Sequence, residues 1–254
     1  MDKVANMLGG LDVTRLKGLE FGPLMSPMVS KSQGNVRYID HETAEGLRKK
    51  YTEIGSIDVS KIVDIDFIED GRPLRDVVSG ERFDYIVASH VFEHIANPIG
   101  WLNDCESVLE QNGVLCLAIP DKRYTFDFFR PLTTPAQWVG AFVDSLERPS
   151  ATTVFENASL CTGHDFSVLL RGAAKPEFKH APDLRGALRL AKEAPSRYID
   201  CHCTVCTPES FADLISQSAD MGLHNFRIEA LFATEPGWLE FQVRLRNSRV
   251  SQTT

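Results

Sequence analysis

The run "VLCLAIP", Val114–Pro120, contains no charged or strongly polar side chain. A strand with one solvated face alternates apolar and polar residues. An unbroken apolar run instead demands cover on both faces, the environment of a parallel sheet sandwiched between helices. A second strand-like run, "FDYIVAS", Phe83–Ser89, precedes it, and the residues between carry helix punctuation. Asn97 is a helix cap and Pro98 suits the first helical position. Ile99, Leu102, Cys105 and Leu109 then recur at three- and four-residue spacing across "IGWLNDCESVLEQ", and Asn112-Gly113 closes the helix. Strand, helix and strand in this order predict a parallel α/β sheet.

The rest of the N-terminal half extends the alternation. "RLKGLEFGPLMSP" reads as a strand stopped by Gly22-Pro23, and "NVRYID" as a second strand closed by Asp40. "TAEGLRKKYT" has the helical spacing of Ala44, Leu47 and Tyr51, "KIVDIDFIED" is a third strand ending at Asp70-Gly71, and "PLRDVVSG" is a short helix stopped by Gly80. Toward the C-terminus, Thr207-Pro208 opens a capped helix, "PESFADLISQSADMGL". The alternating runs "FRIEALFAT" and "WLEFQVRLR" predict an antiparallel hairpin. Residues 121–207 are irregular and too long for a plain loop, so they are read as an insert of helices and loops over the site. With no linker-like composition, residues 1–254 are expected to form a single domain.

Parallel sheets of this kind bind ligands beyond the carboxyl ends of their strands. That rule gathers Glu20 to Pro23, Asp40, Asp70, Ser89 to His94 and Pro120 to Tyr124 on one face. The net charge of −8 disfavours a nucleic-acid-binding surface. Between residues 171 and 197, however, seven basic residues face only three acidic ones, a stretch that could attract an anionic acceptor. No apolar run reaches the roughly 18 residues of a membrane span, and the N-terminus lacks a secretory signal's apolar core. A cytoplasmic location is expected on those grounds. The six cysteines are then reduced thiols, and "CHCTVC", lacking a second cysteine pair, is an incomplete zinc pattern.

Taken in order, "GLEFGPLMSP", "VRYID", "EDGRPL", "FDYIVASHVFEH", "LEQNGVLCLAIPDKRYTFDFFRPLT" and "YIDCHCTVCTPESF" resemble the class I S-adenosylmethionine-dependent methyltransferases. The likeness is to a bacterial methyltransferase-domain group associated with glycan biosynthesis, over most of residues 16–134 and 198–246. The usual glycine-rich first loop is reduced here to Glu20-Phe21-Gly22-Pro23, with one glycine. The resemblance implies a Rossmann-like, seven-stranded, mostly parallel sheet with an antiparallel C-terminal hairpin, and S-adenosylmethionine as cofactor. It places Glu20, Gly22 and Pro23 along the methionine part, Asp40 at the ribose hydroxyls, Asp70 with Gly71 beside the adenine (Asp66 competing), and Ser89 with His90 near the sulfonium.

For the chemistry, His90 is the first candidate for a general base, because imidazole removes protons near neutral pH. His202 is the second, and His94 is carried with them. Three readings of His90, Glu93 and His94 stand side by side: a structural Glu-His brace, a catalytic base, and a divalent-metal cluster completed by His202 or His164. Arg123, Tyr124 and Asp127 are candidates for the acceptor pocket. The expected activity is O-methylation of a small-molecule, sugar or glycan acceptor. A non-catalytic methyltransferase-like binding protein and a nucleic-acid methyltransferase are the alternatives.

Overall fold

The computed structural model describes residues 3–55, 57–163 and 182–249. Seven strands form one sheet in the order β3-β2-β1-β4-β5-β7-β6. β1 (Lys17–Phe21), β2 (Asn35–Asp40), β3 (Phe67–Ile68), β4 (Phe83–Ser89) and β5 (Leu109–Pro120) run parallel, and β7 (Glu240–Asn247) lies antiparallel between β5 and β6 (Phe226–Phe232).

The apolar run that predicts a doubly covered strand divides by the two-residue period of a pleated strand. Leu115, Leu117 and Ile119 of β5 join Ile86 and Ala88 of β4 on one face. There they meet Leu102 and Cys105 of α4 (Pro98–Val108) and Phe211 and Leu214 of α8 (Pro208–Asp220). Val114, Cys116 and Ala118 point the other way, with Tyr85 and Val87, beneath Met7 and Leu8 of the short helix α1 (Lys3–Leu8). α1 is fastened by Asn6, whose side-chain amide donates to Gln242 Oε1 at 3.0 Å in a buried bond.

The helix caps act as the sequence predicts. Asn97 accepts from Gly100 N, with Pro98 at the first position, and Thr207 accepts from Ser210 N at the start of α8. α2 (Ala44–Ile54) is capped by Thr43 and closed by Gly55 at φ 69°. Two expectations are corrected. The third strand is only Phe67–Ile68: Val59–Lys61 form a 3-10 turn, and Val63 N instead bonds to Leu24 O. α4 stops at Val108, three residues before the expected end, because Leu109 pairs with Phe83 and starts β5. Asn112 takes up the left-handed turn within that strand, at φ 61°.

Within residues 121–207 the structure has α5 (Pro135–Val143), α6 (Ala151–Leu160) and α7 (Leu184–Glu193). Arg171, Lys175 and Lys179 of the basic stretch, and His164, lie outside the described residues. Arg185, Arg189 and Lys192 lie on α7. Among the described residues no helix is long and apolar enough to cross a membrane.

Candidate active site

Two hollows lie at the carboxyl ends of the parallel strands. The first is narrow and lined by Phe21, Glu69, Arg72, Leu74, Val77, Trp101 and Asp104. The second is a cavity of about 430 Å³ lined by His90, Glu93, His94, Pro120, Tyr124, Thr125, Phe126, Thr162, Gly163, His202 and Leu239.

Around the first hollow, Gly22 leaves β1 at φ +60°, a conformation that side chains disfavour, and its N–H donates to Ile39 O. A Cβ there would come within 3.1 Å of Val91 Cγ2. Asp40 ends β2 with a buried carboxylate. Its Oδ1 accepts from His41 N at 2.8 Å and lies 2.6 Å from His41 Nδ1, whereas Oδ2 has no partner among the described residues. Phe21 and Trp101 meet edge to face, with centroids 5.3 Å apart.

Glu20 has a different employment from the one expected. It is buried, and its two oxygens accept the backbone N–H groups of Met28 at 2.6 Å and Val29 at 3.2 Å. Burial pushes its carboxyl up to about 7, although those two bonds pull the other way. Asp70, expected beside the adenine, is exposed and turned onto Arg72 at 2.8 Å; Glu69 and Arg72, not Asp70 or Gly71, line the hollow. Asp66 accepts from Tyr38 N and pairs with Lys31, away from it.

The second cavity is built on the turn after β4. Ser89 ends the strand and His90 takes φ +55°, so the chain reverses sharply and Phe92–His94 form a single 3-10 turn. His90, Glu93 and His94 therefore do not lie along an α-helix; the helix begins at Pro98. The tight turn buries Phe92 among Trp101, Trp138 and Phe211 and sends the neighbouring polar side chains toward the cavity.

His90 is held between two carboxylates. Nε2 bonds to Glu240 Oε2 and Nδ1 lies 3.4 Å from Glu93 Oε1. Burial lowers its proton affinity, but hydrogen bonding to Glu240 and the nearby charge of Glu93 outweigh that and raise the pKa to about 9. Nε2 is thus committed to Glu240, and Nδ1 faces the Glu93 carboxylate. Lys3 of α1 completes this corner, donating to Ser89 Oγ at 2.9 Å and pairing with Glu240 at 2.6 Å.

His202 is placed differently. It is buried, and its Nδ1 lies 2.5 Å from Asp127 Oδ2. Asp127 is in turn paired with Arg130 at 2.8 Å. Burial raises the Asp127 carboxyl, but His202 and Arg130 more than reverse this and hold it below the usual range. Arg130 also reaches Glu156, Asn157 and the His202 carbonyl, locking the loop that carries the imidazole. His94 is anchored likewise, with Nδ1 2.8 Å from Asp200 Oδ1. Desolvation opposes its protonation, but Asp200 and Glu93 prevail and raise its pKa.

Of the acceptor-pocket candidates, Tyr124 lines the cavity and Asp127 stands behind His202. Arg123 is turned away, onto Asp121 at 2.6 Å and toward Glu209 at 3.9 Å. Cys201 and Cys206 are buried and Cys203 partly so, all as free thiols. Glu240, Asp200, Lys3 and Arg130 escaped the sequence reading. Glu240, Asp200 and Lys3 lie far along the chain from their partners, Arg130 is only three residues from Asp127, and each alone reads as an ordinary surface charge.

The sequence matches the family described as "Methyltransferase domain" over residues 24–217. No curated protein matches by sequence. Among solved structures, a protein from Rhodobacter sphaeroides described as a Zn-dependent alcohol dehydrogenase is 12% identical, with TM-score 0.53 over 98% of this chain and 91% of its own. An S-adenosylmethionine-dependent methyltransferase structure from Listeria monocytogenes is 10% identical, with TM-score 0.48 over 97% of each chain. Magnesium protoporphyrin IX methyltransferase from Synechocystis, with bound S-adenosylhomocysteine, is 8% identical, with TM-score 0.42 over 96% of this chain and 80% of that one.

The family match spans well over half of the chain, and the sheet order and strand-end hollows agree with it. The chain belongs to the methyltransferase-domain family. It is an S-adenosylmethionine-dependent methyltransferase.

Proposed function

We propose that this enzyme methylates an oxygen of a small, sugar-like acceptor bound in the cavity of about 430 Å³. The observation that carries the reading is the buried Asp127–His202 pair at the cavity wall. Nδ1 is committed to the carboxylate, which leaves Nε2 as the imidazole's free lone pair.

The residues around the first hollow fit the nucleoside of S-adenosylmethionine. Asp40 Oδ2 remains as an acceptor for a ribose diol, the logic by which strand-end acids hold ribose in dinucleotide sites. Gly22 gives bare backbone for close approach. When bound, the cofactor supplies an electrophilic methyl group on a sulfonium. This chain's residues have the remaining tasks: aligning an acceptor oxygen and removing its proton. His202 Nε2 takes that proton, and Asp127 keeps the imidazole in the required tautomer and compensates its new charge.

A sugar-like acceptor is supported by the lining. His90, Glu93, His94, Tyr124, Thr125 and Thr162 offer hydrogen bonds, while the part-exposed Phe126, 4.6 Å from His202, offers a flat apolar surface. A glycan acceptor also accords with the group that the sequence resembles.

The test is calorimetric titration with S-adenosylmethionine and S-adenosylhomocysteine, followed by an acceptor screen among nucleotide-sugars and glycans with radiolabelled methyl donor. Asp40→Ala is expected to weaken donor binding more than tenfold. His202→Ala is expected to preserve donor binding and abolish most transfer. Full transfer by His202→Ala would overturn this assignment of the base.

A further inference from the structure

The wall of the acceptor cavity holds an electrostatic arrangement that proton removal by one histidine leaves unexplained. Glu93 is 1% exposed, and among the described residues neither of its carboxylate oxygens has a hydrogen-bond partner. The nearest imidazole nitrogens are His90 Nδ1 at 3.4 Å and His94 Nε2 at 4.0 Å from Oε1, neither in hydrogen-bond geometry. A buried carboxylate with vacant lone pairs is costly, because it loses hydration and gains no bond in return.

Two imidazoles face the same point. A ligand atom from each of Glu93, His94 and His202 lies within 4.8 Å of the other two. The two rings meet edge to face, with centroids 4.9 Å apart. Each is anchored through Nδ1 to a carboxylate outside the cluster, His94 to Asp200 and His202 to Asp127. In the neutral rings this contact selects the tautomer whose lone pair is on the inward Nε2. An outer carboxylate on the far nitrogen is also the usual support of a metal-bound histidine, orienting the ring and raising its basicity.

We propose that Glu93, His94 and His202 form a binding site for one divalent first-row transition ion. Two neutral imidazoles and one carboxylate suit ions from Mn²⁺ to Zn²⁺ better than Mg²⁺ or Ca²⁺, which prefer all-oxygen surroundings. Metal–nitrogen bonds of about 2.1 Å require the three ligand atoms to draw in by roughly an ångström. The open cavity beside them leaves coordination positions for acceptor oxygens. His90, bonded to Glu240, borders the site, and Cys201 and Cys203 flank His202 in sequence. The catalytic meaning rests on the proposed function. An ion held by Glu93, His94 and His202 would supply Lewis-acid help for an acceptor hydroxyl to lose its proton to bulk water before its oxygen takes the methyl group and S-adenosylhomocysteine leaves. In that state the ion, not His202, promotes ionisation. Ion binding itself is independent of the reaction assigned.

The experiment is titration of chelator-treated, full-length protein with Co²⁺, Mn²⁺ and Zn²⁺ by calorimetry, with visible absorption for Co²⁺. One ion per chain is expected, with Co²⁺ d–d bands and no thiolate charge-transfer band. Glu93→Gln and His202→Ala should each weaken binding at least a hundredfold while the far-ultraviolet circular dichroism is kept. Asp200→Asn, on an exposed side chain that touches no ion, should weaken it about 10- to 100-fold. Absence of saturable one-to-one binding overturns the proposal. So does unchanged affinity in Glu93→Gln, or a thiolate band placing the ion on the cysteines. Donor binding by the metal-free protein is titrated in parallel. Its loss would count against the methyltransferase reading and leave the metal result standing.

Discussion

Arg130 offers a quantitative test of how the site is held. Its guanidinium is 1% exposed and serves four partners: Asp127 at 2.8 Å, Glu156 at 3.1 Å, Asn157 Oδ1 at 3.2 Å and the His202 carbonyl at 2.9 Å. Arg130→Met keeps an unbranched apolar stem and removes every donor. Breaking a buried ion pair from one side costs about 3–5 kcal/mol, because the other charge stays buried. Here Glu156, 21% exposed, can rehydrate, and Asp127 retains His202. The expected loss is therefore at the lower end, about 3 kcal/mol. In a chain of this size each kcal/mol lowers Tm by about 2–4 °C, so a fall of about 6–12 °C accompanies it. Urea unfolding followed by far-ultraviolet circular dichroism measures the difference. Asp127→Leu added to Arg130→Met removes both charges, so the double variant should lose much less than the sum of the two single losses. A loss below about 1 kcal/mol for Arg130→Met, or strict additivity, would refute the reasoning that an uncompensated buried carboxylate dominates.

Three further outcomes follow from the packing. His224 is buried, its Nε2 2.8 Å from Ser218 Oγ and its Nδ1 accepting from Phe226 N, and burial lowers its pKa to about 4. The unfolded chain binds this proton first, so stability is full above about pH 6.5 and falls toward pH 4. The loss is about 3 kcal/mol, and His224→Gln should flatten that part of the unfolding profile. Tyr85 packs with a buried hydroxyl that has no partner among the described residues, so Tyr85→Phe should stabilise by about 1 kcal/mol in urea unfolding; a loss of that size would reveal a missed bond. Gly18→Ala would place a methyl 2.2 Å from Tyr85 Cζ and should cost about 3 kcal/mol, which Tyr85→Phe should not relieve because Cζ remains.

What could be read from the sequence was local. "VLCLAIP" announced a doubly covered strand, and Asn97-Pro98 and Thr207-Pro208 announced helix starts, because caps and strand periods depend on adjacent residues. The third strand and the end of α4 were misjudged where a distant partner decided the outcome: Phe83 draws Leu109 into the sheet against its helical spacing. The same limit applies at the site. His90 and His202 are both histidines in promising places, and nothing within ten residues of either distinguishes them. The distinction comes from Glu240, 150 residues from His90, and Asp127, 75 residues from His202.

The sheet order also bears on vectorial synthesis. β7 follows β6 in the chain but lies inside it, against β5. While a nascent chain is still emerging, β5 keeps an open, strongly apolar edge, and β6 has no strand to dock on. His90 at this stage has no Glu240, and the roof over the cavity lacks Leu239. Release of the last described strand seals the sheet edge and finishes the polar corner in one event. A ribosome stalled a few residues short of β7 would therefore present a sticky, chaperone-seeking intermediate without a completed pocket, and not a slightly weakened enzyme.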